Sequence, residues 1–280
     1  MNIGFIGAGK VGCSMAKFFI AHNINVTGFN SRSHESAATA AEFTHSIVYD
    51  DKIRLTEDND VIFITVPDGM IASVYDEIAD HIRKGQLVCH CSGSLSSKIF
   101  HGIDKRQALG VSIHPLFAVS DRFGSYKELP QALFTIESYD EKGIQKAISI
   151  LEKCDANYRI ISPDNKISYH AAATVASNLM CGLVYTACDI LKDIGFDYET
   201  SLCALAPLMR GNLEHVIEDG FFNALTGPLE RADNDTVNSH LENLDNVKKD
   251  IYISLSKQIL QIAKHKNPER DYGKLEELLK

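Results

Sequence analysis

The stretch Asn2–Ile6 followed by Gly7-Ala8-Gly9-Lys10-Val11-Gly12 constrains this chain more than any other part of it. An apolar run of strand length passes through three closely spaced glycines into a segment of helical character, and each glycine meets a steric demand. Gly7 permits a tight turn, Gly9 lets the backbone come close to a pyrophosphate, and Gly12 lets helix and strand pack closely. The helix that follows presents free N–H groups and a partial positive charge to an anion. Strand, turn and helix in this order predict a dinucleotide site built from Gly7, Ala8, Gly9, Lys10, Val11 and Gly12. The plainer alternative is a glycine-rich turn without a ligand.

The rest of the first half repeats the same alternation. Short apolar runs at Ile3–Ile6, Asn25–Phe29, Ser46–Tyr49, Val61–Val66, Leu87–His90, Leu109–Ile113, Ala132–Ile136 and Tyr158–Ile161 read as strands. Helical stretches at Lys10–His22, His34–Glu42, Gly69–Ile82 and Glu141–Cys154 supply the crossovers that parallel strands require. The pattern changes at Ser162-Pro163-Asp164, where a capping hydroxyl, a proline and an acid mark a helix start. Helices are predicted over 163–194, 198–217, 234–243 and 245–265, with a short one at the C-terminus. The expected fold class is therefore α/β: an N-terminal Rossmann domain with a mostly parallel sheet, residues 1–161, followed by an all-α domain, residues 162–280.

Cofactor preference is read at the end of the second strand. Proteins that prefer NAD place a carboxylate there, about 20 residues past the glycines, to bind the ribose hydroxyls. This chain instead carries Asn30-Ser31-Arg32, an amide, a hydroxyl and a guanidinium suited to a 2′-phosphate, which predicts NADP. The loops that end later strands, Val66-Pro67 and Ser92-Gly93, are expected at the nicotinamide half and His114 at the substrate, although turn chemistry alone also favours such residues there.

The motifs Ile3-Gly4-Phe5-Ile6-Gly7-Ala8-Gly9-Lys10-Val11-Gly12, Asn30-Ser31-Arg32 and Thr65-Val66-Pro67-Asp68 resemble those of the superfamily of pyrroline-5-carboxylate reductase, 6-phosphogluconate dehydrogenase and the β-hydroxyacid dehydrogenases. Three further motifs, Ser112-Ile113-His114-Pro115-Leu116, Tyr169-His170-Ala171-Ala172-Ala173 through Ala176-Ser177-Asn178, and Ala224-Leu225-Thr226-Gly227-Pro228, are similar to Rossmann-like proteins carrying the domain of unknown function 2520. The resemblance implies an NADP-dependent oxidoreductase and names no substrate.

On one continuous helix after Ser162, the residues His170, Thr174, Ser177, Asn178 and Cys181 would share a face. Apolar neighbours would bury that polar stripe, leaving it to find partners or a ligand. By resemblance to the β-hydroxyacid dehydrogenases, Asn178 matches a substrate-positioning Asn, while Thr174 stands where that family has its catalytic Lys. His170, one turn earlier, is the expected acid or base because imidazole titrates near neutral pH. Lys166 lies a further turn back and is the less favoured choice. Thr174, Ser177, Thr226 and Gly227 are expected near the substrate, the last two by a loose similarity to a carboxylate-binding loop of pyrroline-5-carboxylate reductase. Loss of the Lys leaves a second reading open, a non-catalytic NADP(H)-binding sensor or regulator.

Bulk properties narrow the partners. A formal charge of −9, with no basic face, argues against nucleic acid. Seven cysteines scattered through apolar runs suggest a reducing compartment, and Cys89-His90-Cys91 lacks a second ligand pair at zinc spacing, so no metal is expected. No export signal is read at the start, which makes the cytoplasm the expected location. The uncharged window Ala171–Cys188 has transmembrane length but is rich in Ala and carries Thr174, Ser177 and Asn178. It is expected to be a buried helix at a domain or subunit interface, with Gly182 allowing close approach in a homodimer, not a membrane span. Replacing Arg32 by Ala is expected to weaken NADPH binding about tenfold relative to NADH, as the loss of a charge-assisted phosphate bond requires; a ratio of NADPH to NADH affinity unchanged by the substitution in a fluorescence titration would refute the Arg32 assignment.

Overall fold

Along β1 (Asn2–Ile6), β4 (Val61–Ile64) and β5 (Leu87–His90) alternate residues enter different cores, so both faces of the sheet are covered. Ile3, Phe5, Val61, Phe63, Leu87 and Cys89 belong to one core, and Ile6, Ile62, Ile64 and Val88 to the other. Continuous apolar runs of this kind are what a parallel sheet between two helical layers demands.

The computed structural model describes all 280 residues. β2 (Asn25–Asn30), β3 (Ile47–Val48), β6 (Leu109–Leu116), β7 (Leu133–Glu137) and β8 (Asn157–Ile160) complete an eight-stranded sheet in the order β3-β2-β1-β4-β5-β6-β7-β8. Every pairing is parallel except β6 with β7. The order in which strands are added reverses between β1 and β4, and at that switch point the carboxyl ends of two neighbouring parallel strands open a crevice. Side-chain caps start several helices. Ser33 caps α2 (His34–Thr44), Asp51 caps α3 (Lys52–Asp58) and Asp140 caps α5 (Glu141–Lys153), each accepting a main-chain N–H. α1 (Lys10–Ala21) and α4 (Asp68–Ile78) follow β1 and β4. α3 was not anticipated from the sequence, because its seven residues are too few for a helical period to register.

The chain divides into compact units at Met1–Ser177 and Asn178–Lys280. In the first, Pro163–Asn165 forms a 3-10 turn that leads into α6 (Lys166–Ala176). The second contains α7 (Asn178–Asp193), α8 (Tyr198–Ala224), α9 (Asn234–Asn243), α10 (Asn246–Lys266) and α11 (Gly273–Leu278). Its core gathers Leu229, Val237, Leu241, Leu260, Leu275 and neighbours from α9, α10, α11 and the segment before them. Lys248 of α10 adds ion pairs to Asp189, Asp193 and Asp245.

Two expectations need correction. The segment 163–194 is not one helix: Ser177, at φ −127° and ψ −81°, separates α6 from α7, and its hydroxyl donates to the Ala173 carbonyl at 2.7 Å. Nor is the polar stripe buried. His170, Ser177, Asn178 and Cys181 are exposed and Thr174 half-buried, and the apolar neighbours Val175, Leu179, Met180 and Leu183 that were expected to bury them are exposed as well. Pro163–Asp193 is long and apolar enough to cross a membrane by length and composition, yet only 6% of its most apolar window is buried within the chain. α8 runs past the expected end at 217 to Ala224, with non-helical geometry at Gly220.

Phe5 is the centre of the aromatic packing, with ring centroids 5.2 Å from Phe63, 5.4 Å from Phe29 and 6.3 Å from Phe19. Truncation to Ala is expected to cost about 3–5 kcal/mol of stability in urea unfolding, the range for a buried ring that leaves a cavity; a loss below about 1 kcal/mol would contradict this packing role.

Candidate functional site

The glycine turn is shaped by how closely it approaches β4. Gly7 has φ +116°, and a Cβ there would lie 2.6 Å from the Thr65 carbonyl. A Cβ on Gly12 would meet Gly7 O and Thr65 Oγ1 at 2.5 Å. Thr65 Oγ1 donates to Gly7 O at 2.9 Å, and the Gly7 N–H donates to Asn30 O at 2.8 Å. Gly9 is different: a Cβ there would meet nothing within 4 Å, so the space beside its backbone is open. A side chain at Gly9 would fill the cradle that a pyrophosphate needs, and in this respect the turn fits a dinucleotide.

That cradle is part of a cavity of about 590 Å³ at the switch point. Gly7, Ala8, Gly9, Asn30, Ser31, Arg32, Val66 and Pro67 line it, while Lys10, Val11 and Gly12 follow at the start of α1 without forming its wall. The wall also contains groups that the sequence did not bring forward, Asp50, Lys52 and Glu77. Carboxylates are thus present at the cavity, contributed from beyond β3 and from α4 and not from the end of β2. The Asn30 amide donates to Tyr49 O at 2.8 Å, which ties β2 to the loop after β3.

Ser92 and Gly93 do not line this cavity. The Ser92 hydroxyl donates to Asp68 at 2.7 Å and accepts the N–H groups of Ser94 and Leu95, so it holds the turns after β4 and β5 together. Gly93 is where two imidazoles meet. A Cβ on it would lie 2.7 Å from His170 Nδ1 and 3.0 Å from His114 Nε2. His114 Nδ1 shares a 2.7 Å hydrogen bond with the Tyr169 hydroxyl. The first turns of α6 therefore lie against the carboxyl ends of β5 and β6, bringing His170 to His114.

Lys166 also belongs to this cluster, although its sequence position made it look less well placed. It is 1% exposed, and its Nζ donates to Ser112 Oγ at 2.7 Å. Burial pulls the ammonium down to about 8 against the opposing attraction of Glu137. Glu137 is itself buried and accepts from the N–H and hydroxyl of Ser97, both at 2.8 Å. Burial, reinforced by the Lys166 charge, pushes the imidazoles of His90 and His114 down to about 4. Both are neutral near pH 7 and can exchange hydrogen bonds there without carrying charge. Nothing in the sequence marked Lys166 for burial, since its position depends on the angle at which α6 meets the sheet. Thr174 stands half-buried two turns along α6. Asn178 opens α7, and Thr226 and Gly227 lie in the segment between α8 and α9, where Gly227 has φ +105°. No group of three or more His, Cys, Asp or Glu side chains is arranged to hold a metal ion.

The depressed imidazoles set a pH dependence. An unfolded chain protonates them near 6.5 while the folded one resists until about 4, so between these values the unfolded state binds more protons. Stability is therefore expected to fall as pH drops through that window, and His114→Gln should flatten the decline in urea midpoints. An unchanged slope in that variant would remove His114 as a source of it.

Comparison with known proteins agrees with this architecture. Residues 1–115 match the family model of a Rossmann-like domain, and residues 132–259 match the model described as a domain of unknown function, DUF2520. Protein TM1727 from Thermotoga maritima has a similar structure, with a TM-score of 0.72, 26% identity, and coverage of 94% of this chain and 98% of that one. The "putative NADP oxidoreductase BF3122" from Bacteroides fragilis also has a TM-score of 0.72, at 21% identity over 93% of this chain and 98% of its own. Pyrroline-5-carboxylate reductase 2 of Rattus norvegicus is 27% identical over 106 residues, which are 34% of this chain and 31% of that protein. The chain thus spans about a third of the length of the curated relatives it matches. With a parallel sheet, a glycine turn at its switch point and a helical second unit, the chain carries a Rossmann-like domain followed by a DUF2520 domain.

Proposed function

We propose that the chain is an NADP-dependent oxidoreductase that moves a hydride between the nicotinamide and a small carbonyl, imine or hydroxy-acid substrate. The observation that carries the reading is the meeting of His170 and His114 over the Gly93 backbone, at the sheet edge that also holds the glycine turn. Support for the cofactor comes from the open cradle beside Gly9 and from Arg32, Ser31 and Asn30 in the cavity wall. Solved neighbours include an imine reductase from Pseudomonas sp. and a Plasmodium falciparum pyrroline carboxylate reductase with NADP bound, at 14% and 15% identity.

When bound, the nicotinamide supplies or receives the hydride. The glycine turn and the N-terminus of α1 would hold the pyrophosphate, and Arg32 would pair with the 2′-phosphate. In the reductive direction His170 would give a proton to the substrate oxygen or nitrogen, and in the oxidative direction it would take that proton back. The exposure of His170 lets it exchange protons with solvent between turnovers. His114, held neutral and anchored to Tyr169, offers a fixed hydrogen-bonding nitrogen beside it.

We also propose that the chain works as a homodimer. α7 and α8 leave Leu179, Met180, Leu183, Leu208, Ile217 and Phe221 exposed, apolar side chains that a second copy of the chain would cover. Light scattering at micromolar concentration should give twice the chain mass, and a monomer would refute the dimer.

The functional test is a screen of small oxo acids and imines for loss of NADPH absorbance. His170→Ala should lower kcat by about 10²- to 10⁴-fold with NADPH affinity retained. Tight NADPH binding with no turnover of any substrate would instead favour the sensor, and normal rates in His170→Ala would remove its proton-transfer role.

A further inference from the structure

The cavity at the switch point contains a charge pair that none of the sequence motifs includes. Lys52 is the first residue of α3 and Glu77 lies in the last turn of α4; both line the same wall as Arg32, and Lys52 Nζ is bonded to a Glu77 carboxylate oxygen. The side chains are 30% and 54% exposed. Ion pairs this wet add little to stability, so either member can change partner at small cost. The Lys52 main chain is fixed, since Asp51 caps the helix and Thr56 Oγ1 donates to the Lys52 carbonyl at 2.9 Å. Only its side chain is free to turn.

Charge balance says what that freedom is for. Arg32 and Lys52 face Asp50 and Glu77 on one wall, two cations against two carboxylates. Asp50 lies 3.6 Å from His34 Nε2, also at the surface. A 2′-phosphate brings about 1.5–2 negative charges. Arg32 alone would leave that charge undercompensated beside two carboxylates. A free 2′-hydroxyl, by contrast, brings no charge and can donate to a carboxylate.

Resting on the reading of this cavity as the cofactor site, we propose that the Lys52–Glu77 pair is the second determinant of cofactor choice. Lys52 leaves Glu77 to join Arg32 on a 2′-phosphate, and Glu77 is the group that opposes that phosphate. Preference for NADP is then a balance between a guanidinium and lysine on one side and a carboxylate on the other.

Binding of 2′,5′-ADP and 5′-AMP to the full chain, measured by calorimetry, isolates the 2′-phosphate from the chemistry at the nicotinamide. Lys52→Met is expected to weaken 2′,5′-ADP about tenfold, the scale of one charge-assisted bond, and to change 5′-AMP less than about twofold. Glu77→Gln should act in the opposite direction, tightening 2′,5′-ADP several-fold, which general damage to the fold would not do. Equal losses for both nucleotides in Lys52→Met, or no loss for either, would overturn the proposal. If Arg32→Ala weakens 2′,5′-ADP while Lys52→Met does not, the cofactor reading stands and only this inference fails. If the unaltered chain binds neither nucleotide, both fall together.

Discussion

The contact between the glycine turn and the end of β4 is the constraint on which the rest of the structure depends. Neither Gly7 nor Gly12 has room for a Cβ, and Thr65 Oγ1 closes the contact by donating to Gly7 O. The closeness of β1 and β4 at this point fixes the direction of α1 and the depth of the crevice. It also leaves Gly9 facing open space, so tight packing on two sides produces a cradle on the third. Arg32, Lys52 and Glu77 acquire functional meaning only because they stand around that cradle.

A second arrangement depends on the end of the sheet. α6 brings Lys166, Tyr169 and His170 against β5 and β6, where Ser112, His114 and Gly93 receive them. A lysine this deeply buried costs stability unless its ammonium is hydrogen-bonded and balanced, and Ser112 and Glu137 perform those tasks. Lys166 in turn helps to keep His90 and His114 neutral, after the larger effect of burial. The result is a neutral His114 held against the Gly93 backbone, where His170 also arrives.

Much of this was legible before the structure. All eight strands were placed in the sequence, because runs such as Val61–Ile64 and Leu87–His90 are apolar on both faces and end at glycine or proline turns. The glycine turn and Arg32 stood out for the same local reason, since their chemistry lies in adjacent residues. Reading failed where a local irregularity broke a helix and where burial was inferred from composition. Ser177 divides what looked like one long helix, and the polar stripe is exposed because its apolar neighbours are not packed within the chain. The short helix α3 escaped notice, and with it Lys52.

What the sequence by itself determined is the alternation of strand and helix, the glycine turn and the change to helices after Ser162, all of which follow from periodicity and turn chemistry within a few residues of each other. Only the tertiary structure decided that Lys166 is buried at Ser112, that His170 meets His114 over Gly93, and that Lys52 and Glu77 share a wall with Arg32. These groups are brought together by the angle of a helix against a sheet edge and by the order of strands across the sheet. Such distances arise from packing between segments far apart in the chain, and no local pattern of residues encodes them.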